Sequence, residues 1–111
     1  MVVAVARIAL QVEGSRSLKT KRRVVRQILD RVRARFPVSA SEVGGQDLWQ
    51  RTELGFAYVS GDWRHARDVI TKVARYVEDL NLAPVVSSDV DVFDFDDEVP
   101  DSDEWFSGGE V

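Results

Sequence analysis

Cysteine is absent from this chain of 111 residues, and histidine occurs once. Without cysteine there is no disulfide framework, no thiolate nucleophile and no thiolate metal site. His65 has no second histidine or recognisable acid spacing around it, so we expect it to be a surface residue rather than a catalytic base. The sequence also shows no metal-ligand spacing and no glycine-rich phosphate loop. We therefore predict a non-enzymatic protein with no metal and no cofactor.

Long apolar runs are also missing. The longest, at residues 1–6, is interrupted by Arg7 and is far shorter than the roughly 20 residues that a membrane-spanning helix needs. No cleavage signal follows it, so we expect no signal peptide. The chain is 44% hydrophobic and 31% charged, which is typical of one globular domain. We predict a cytoplasmic protein that does not bind membranes.

The net charge of −4 hides two blocks of opposite sign. Residues 16–35 carry nine basic side chains against one acid, Asp30, and residues 89–110 carry ten acids and no base. Such asymmetry indicates that the basic block binds a polyanionic partner. It also indicates that the acidic block competes with that partner for the basic surface.

The hydrophobic period predicts six elements in the order strand, helix, strand, strand, helix, strand. A near-continuous apolar run predicts a strand over 2–12 that is either covered on both faces or central in its sheet. Helical spacing predicts helices over 18–36 and 63–80. Ser17 and Asp62 are the predicted N-caps, and Asn81 is the predicted C′ residue, directly after the second helix. In the second helix the apolar stripe includes Trp63. Alternation predicts strands over 38–43, 52–60 and 85–95.

This order predicts a ferredoxin-like βαββαβ fold of the α+β class, with a four-stranded antiparallel sheet and two helices on one face. We assign residues 1–95 to the domain. Residues 96–111 are acidic and poor in aliphatic side chains, which predicts a disordered tail. The last strand is expected at a sheet edge, where its aspartates discourage pairing with another chain.

The basic helix is the strongest functional signal. At about 100° per residue, several of its cations share one sector beside the apolar stripe. Cations in the first turn of a helix are unfavourable, because they lie at the positive end of the helix dipole. Several such cations together favour a binding function for this face over a purely structural one. The predicted nucleic-acid contacts are Lys19, Lys21, Arg22, Arg23, Arg26 and Arg33. Against this stands the simpler interpretation of a solvated helix face.

Two aromatic segments give weaker signals. Around the predicted hairpin, Gln46, Asp47, Trp49 and Arg51 could form a secondary contact in which Trp49 stacks on a base or fills a pocket of a partner. The simpler interpretation is that Trp49 covers the edge of the core. In the tail, Trp105 and Phe106 resemble a short motif for a protein partner, or for this chain's own basic helix.

Two motifs resemble a known family. The run S-L-K-x-K-R from Ser17 to Arg22 and the run Q-D-L-W-Q-R from Gln46 to Arg51 are similar to those of the YlxP-like family of small bacterial proteins. The resemblance covers about residues 1–93. It implies a ferredoxin-like fold and a role near the small ribosomal subunit, and it brings no catalytic residues. The acidic tail departs from the family pattern.

These observations lead to one hypothesis with one alternative. The chain is expected to bind RNA or the small ribosomal subunit through its basic first helix, with the acidic tail competing for that surface. In the alternative, it is a protein–protein adaptor that uses the basic helix and the Trp105-Phe106 motif. A homodimer is left open by the sequence.

Overall fold

The computed structural model describes residues 1–12, 17–46, 48 and 50–95. Its elements are β1 (Val2–Gln11), α1 (Leu18–Arg35), β2 (Ser39–Gly44), β3 (Arg51–Ser60), α2 (Trp63–Leu80) and β4 (Val85–Asp94). The order is βαββαβ, as predicted, and each element lies within one or two residues of its expected bounds. The acidic tail, residues 96–111, lies outside the described residues.

The four strands form one sheet in the order β2-β3-β1-β4, and each pair of neighbours is antiparallel. β1 is therefore central, which is one of the two placements that its apolar composition predicts. Its even-numbered residues lie on the buried face of the sheet and include Ala4 and Ile8, which are fully enclosed. Odd-numbered residues such as Val3 and Val5 lie on the opposite face, which is partly open to solvent.

Both helices pack on that buried face and close the core. α1 contributes Val25, Ile28, Leu29 and Val32, and α2 contributes Ala66, Ile70, Val73, Ala74 and Val77. Apolar residues recur at three- and four-residue spacing, so one stripe of each helix is removed from water. The prediction for Trp63 is wrong. The residue is 43% exposed and lies outside the core, and the Arg67 guanidinium lies 5.6 Å from its ring centre.

The helix ends follow the predicted capping residues. The Ser17 hydroxyl accepts a hydrogen bond from the Thr20 N–H (3.3 Å), and the Asp62 carboxylate accepts one from the His65 N–H (3.1 Å). Asn81 ends α2 in the left-handed region, at φ 52°, a conformation that asparagine tolerates. These contacts satisfy backbone groups that a helix end otherwise leaves unpaired.

β4 lies at one edge of the sheet, as expected. Asp89 on this strand forms an ion pair with Arg7 on β1 (3.4 Å). Both side chains are well exposed, so the pair contributes little stability. Within the ranges described above, no helix is long and apolar enough to cross a membrane.

Candidate nucleic-acid interface

Four cations form an exposed cluster on α1. Lys19, Arg22, Arg23 and Arg26 are all exposed. Together they line a shallow cleft of about 250 Å³. Their three- and four-residue spacing places them on one side of the helix, because residues at this spacing are neighbours on a helix surface. We call these four residues the α1 cluster. The core residues occupy another side of the helix, so this cluster faces solvent.

The α1 cluster carries charge that nearby acids do not neutralise. Among the described residues, no carboxylate lies within 4 Å of the charged groups of these four side chains. The first turn of α1 contains no acid. Four like charges within about two helical turns repel one another, so the arrangement is costly without a ligand and suits an anion.

Arg33 lies farther along α1 and is already engaged. Its Nη2 donates to the Ala40 carbonyl oxygen on β2 (2.6 Å), and its Nη1 lies 3.5 Å from the Asp30 carboxylate. The guanidinium therefore joins the C-terminal half of α1 to β2. Arg33 was predicted as a nucleic-acid contact, but it is not among the residues that line the cleft.

The structure corrects the prediction for Lys21. Its side chain is buried, with 1% of the residue exposed. Its Nζ donates to the Gly45 carbonyl oxygen and lies 3.2 Å from the Glu42 carboxylate. That carboxylate also accepts from the Thr52 hydroxyl (2.7 Å). With its ammonium enclosed in this way, Lys21 cannot contact a phosphate at the surface.

Helical spacing could have identified the exception. Lys21 precedes Val25 by four residues and Ile28 by seven, so it shares the core side of α1 with them. The charge of Lys21 favoured a solvent-exposed side chain, whereas its position on α1 places the side chain in the interior. The groups that satisfy the ammonium, the Glu42 carboxylate on β2 and the Gly45 carbonyl on the β2–β3 connection, are supplied by the tertiary structure.

The connection between β2 and β3 begins at Gly45, whose backbone needs glycine. Its φ is +73°, and a Cβ there would lie 2.8 Å from the Arg51 carbonyl oxygen. The Leu48 N–H donates to the Gly45 carbonyl oxygen (3.0 Å). At the other end, the Val12 N–H donates to the Gln50 carbonyl oxygen (2.8 Å). The connection is therefore held at both ends.

The structure describes two of the four residues of the predicted secondary contact. Gln46 and Arg51 are exposed at the two ends of the connection. Asp47 and Trp49 lie outside the described residues, as do Trp105 and Phe106 in the tail. The two proposed roles of Trp49, stacking on a base and covering the core edge, therefore both stay predictions.

Lys21 brings the two sequence motifs together. It belongs to the S-L-K-x-K-R run, and its ammonium binds the carbonyl of Gly45, which immediately precedes the Q-D-L-W-Q-R run. Segments separated by more than 20 residues in sequence thus meet at this buried contact.

A second group of cations was missed because it forms only where the two helices meet. Arg35, Lys72 and Arg75 line a cleft of about 360 Å³ with two aromatic rings and Asp79. The Arg35 guanidinium lies 5.0 Å from the centre of the Tyr76 ring. Lys72 is paired with Asp68 (3.0 Å). With two nearby acids, this group is less strongly positive than the α1 cluster.

His65 lies at the surface, close to Tyr58. The His65 Nε2 and the Tyr58 hydroxyl are 2.9 Å apart on the surface. Within the part of the chain that the structure describes, no three histidine or acidic side chains are placed to hold a metal ion.

Comparison with known proteins identifies a family and a fold. The sequence profile of the family described as "Protein of unknown function (DUF503)" matches residues 3–90. The "Uncharacterized protein YlxP" of Bacillus subtilis (strain 168) is 44% identical over 62 residues, which are 56% of this chain and 67% of that protein. These matches confirm the YlxP-like resemblance.

A de novo designed protein with a ferredoxin fold, solved by solution NMR, superimposes with a TM-score of 0.52 at 12% identity. The match covers 90% of this chain and 92% of the designed protein. At this identity the likeness concerns the fold alone, and it agrees with the strand order and helix placement described above.

Proposed function

The chain belongs to the DUF503 family of proteins of unknown function, and from its own surface we propose that it is a non-enzymatic cytoplasmic protein that binds structured RNA, with the small ribosomal subunit as the expected setting. The supporting observation is the α1 cluster: four exposed cations in one cleft, without a described acid to pair with them. The sequence resemblance to the YlxP-like family suggests the ribosomal setting.

Phosphate is the anion that best matches this group. An arginine guanidinium presents a planar fork of N–H donors that can hold two phosphate oxygens at once, and three of the four residues are arginines. The cluster extends over seven residue steps, or about 10 Å along the helix axis. Such contacts place a protein on an RNA backbone without reading its sequence.

The open face of the sheet is a poorer RNA surface. RNA-binding sheets of this general shape stack bases on exposed aromatic side chains. Here Phe93 is exposed, but it lies on an edge strand that also carries Asp89 and Asp91, whose charge repels phosphate. We therefore place the contact on the helix side.

The test is charge reversal of Arg22, Arg23 and Arg26 to glutamate in one variant. Losing about three phosphate contacts should weaken binding to small subunits and to RNA by at least about tenfold at low salt. It should also make the negative slope of log affinity against log salt shallower by about 3. Co-sedimentation and a salt titration measure the two quantities.

A matched control carries Arg7→Glu, Arg64→Glu and Arg67→Glu, three exposed arginines outside the α1 cluster. The change in net charge is identical, so a specific site predicts a much smaller loss of affinity for the control. Equal binding by the α1 variant and the wild type would show that the proposal is wrong.

The second candidate is a protein–protein adaptor, because unpaired cations also suit an acidic protein surface. Nuclease treatment during a pull-down separates the two functions. Partners that are lost on digestion favour RNA, and partners that persist favour the adaptor.

A further inference from the structure

One face of the sheet lies opposite both helices. The helices pack on the face that holds Ala4 and Ile8, and successive side chains of a strand alternate between faces. The other face is made by the odd-numbered residues of the four strands, beginning with Ser87 in β4. We call this surface the open face.

The open face carries a row of large apolar side chains. The strand register places Val3 between Val59 on β3 and Phe93 on β4. Val59 is 55% exposed and Phe93 is 42% exposed. We call these three residues the apolar row. A contiguous apolar patch that is bordered by charged residues, here Asp91, is typical of a surface that contacts another macromolecule.

A groove lies beside the apolar row, between β2 and β3. Its volume is about 340 Å³, and the small side chains of Ser39, Ser41 and Ala57 line it. Gly55 also lines it and has no side chain, and a Cβ there would lie 2.9 Å from Val43 Cγ1. We call this the β2–β3 groove. The open face therefore has a protruding apolar part and a recess that apolar side chains can enter.

The charges of the open face argue against a polyanion and for a second copy of this chain. Asp89 and Asp91 lie on it, and Arg7 is already paired with Asp89 (3.4 Å). Either RNA or the acidic segment 96–110 would meet two carboxylates there. A second copy brings both signs of charge, so Arg7 of each copy can pair with Asp91 of the other. A two-fold symmetric interface forms this contact twice.

The size of the open face determines the expected strength of the contact. Strands about 4.8 Å apart and about 3.3 Å long per residue give this face about 500 Å² in projection. Two copies would then bury about 1,000 Å², which is the lower limit for a specific interface. We therefore expect a reversible dimer instead of an obligate one.

We propose that the open face binds the open face of a second copy, in a two-fold symmetric dimer in which the apolar row of each copy enters the β2–β3 groove of the other. A closed dimer requires one surface to present both halves of the contact, and the open face does so. The helix layers then lie on the outside, where both α1 clusters stay accessible. This inference goes beyond the proposed function and does not depend on it.

Sedimentation velocity of the full chain over a concentration series tests the proposal. The wild type should be mostly dimeric at about 100 µM and mostly monomeric near about 1 µM, as expected for a small interface. Val59→Lys/Phe93→Lys places charge in the apolar row, and Ser39→Glu/Ser41→Glu places charge in the β2–β3 groove. Each variant alone should associate at least about tenfold more weakly, because an unpaired charge is costly to bury.

An equal mixture of the two variants should form a dimer that contains one copy of each. In that dimer the lysines of one copy meet the glutamates of the other, and the second half of the interface is native. The matched control is Trp63→Lys/Val90→Lys, which replaces similarly exposed apolar residues outside the open face. It changes the net charge equally and should dimerise like the wild type. Circular dichroism checks that each variant is folded.

The possible failures are distinct. A wild type that is monomeric at about 100 µM overturns the proposal at the affinity its area predicts. Species that grow beyond a dimer show a head-to-tail contact and overturn it as well. A dimer that persists in either variant places the contact elsewhere, and a mixture that does not associate overturns the entry of the apolar row into the β2–β3 groove. RNA binding by the α1 cluster is tested separately by its charge reversal.

Discussion

At the scale of single residues, position on a helix decides what a charged side chain does. Lys21 and Arg22 are adjacent in the basic run, yet the ammonium of Lys21 is enclosed by Glu42 and Gly45 while Arg22 lines an open cleft at the surface. A step of about 100° around the helix axis separates these environments. Charge alone therefore overestimates the number of available cations.

Gly45 gives a prediction at this scale. Gly45→Ala forces an alanine to φ +73° and brings its Cβ within 2.8 Å of a backbone oxygen, so we expect the free energy of unfolding to fall by about 1–3 kcal/mol. Urea denaturation followed by circular dichroism measures the change.

The matched control is Gly61→Ala, where nothing lies within 4 Å of the added carbon. This substitution should leave stability unchanged or raise it by up to about 1 kcal/mol, because it restricts the unfolded chain. Equal effects of the two substitutions would contradict the account of Gly45.

At the scale of the element, α1 combines a core stripe with a face whose charges oppose helix stability. The first turn contains no acid, and Lys19 lies there with its positive charge at the positive end of the helix dipole. α1 is therefore less stable than it would be with acids in its first turn. A local feature that lowers helix stability is typical of residues that serve a function.

Lys19→Glu tests this conflict. We expect the free energy of unfolding to rise by about 0.3–1 kcal/mol, because a carboxylate is favourable near a helix N-terminus. RNA affinity should fall in the same variant. Thermal unfolding and a binding titration give the two results.

Lys19→Gln is the control that removes the charge without reversing it, and it should lie between the wild type and Lys19→Glu in both measurements. A variant that gains stability and keeps full affinity would remove Lys19 from the proposed contact while leaving the argument from the helix dipole intact.

At the scale of the whole molecule, charge is divided between layers. The helix layer carries the α1 cluster and the Arg35, Lys72 and Arg75 group, whereas edge strand β4 carries Asp89, Asp91 and Asp94. Residues 96–110 add seven acids to the chain. We expect these acids to compete with a polyanion for the cations of the helix layer.

Removal of residues 96–111 should therefore strengthen RNA binding several-fold at low salt. The effect should shrink above about 0.1 M salt, where charges more than about 10 Å apart are screened. A fluorescence binding titration across a salt series measures it.

A full-length control in which the seven tail acids are replaced by asparagine or glutamine separates charge from chain length. It should reproduce the effect of the truncation. Equal affinities of the full and shortened chains at low salt would show that the two charge blocks act independently.

Much of the architecture was predictable because it depends on local patterns. The apolar period and the capping residues are properties of short segments, so α1, α2 and the four strands follow from them. Trp63 is the exception within a helix. It occupies the first turn of α2 and is largely exposed, and its ring lies against the Arg67 guanidinium instead of the core.

The candidate site was predictable only in part. Lys19, Arg22, Arg23 and Arg26 share one side of one helix, which spacing alone determines. Arg33 and Lys21 find acceptors on β2 and on the β2–β3 connection, and no pattern within α1 anticipates these partners. The cation group around Tyr76 needs both helices, so it too depends on their packing.

The sequence by itself determined the family, the βαββαβ order and the segregation of charge, because these depend on residue type and spacing along the chain. Only the tertiary structure decided which basic side chains remain free. Burial and pairing depend on groups that are distant in sequence, and folding brings Glu42, Gly45 and Thr52 around Lys21.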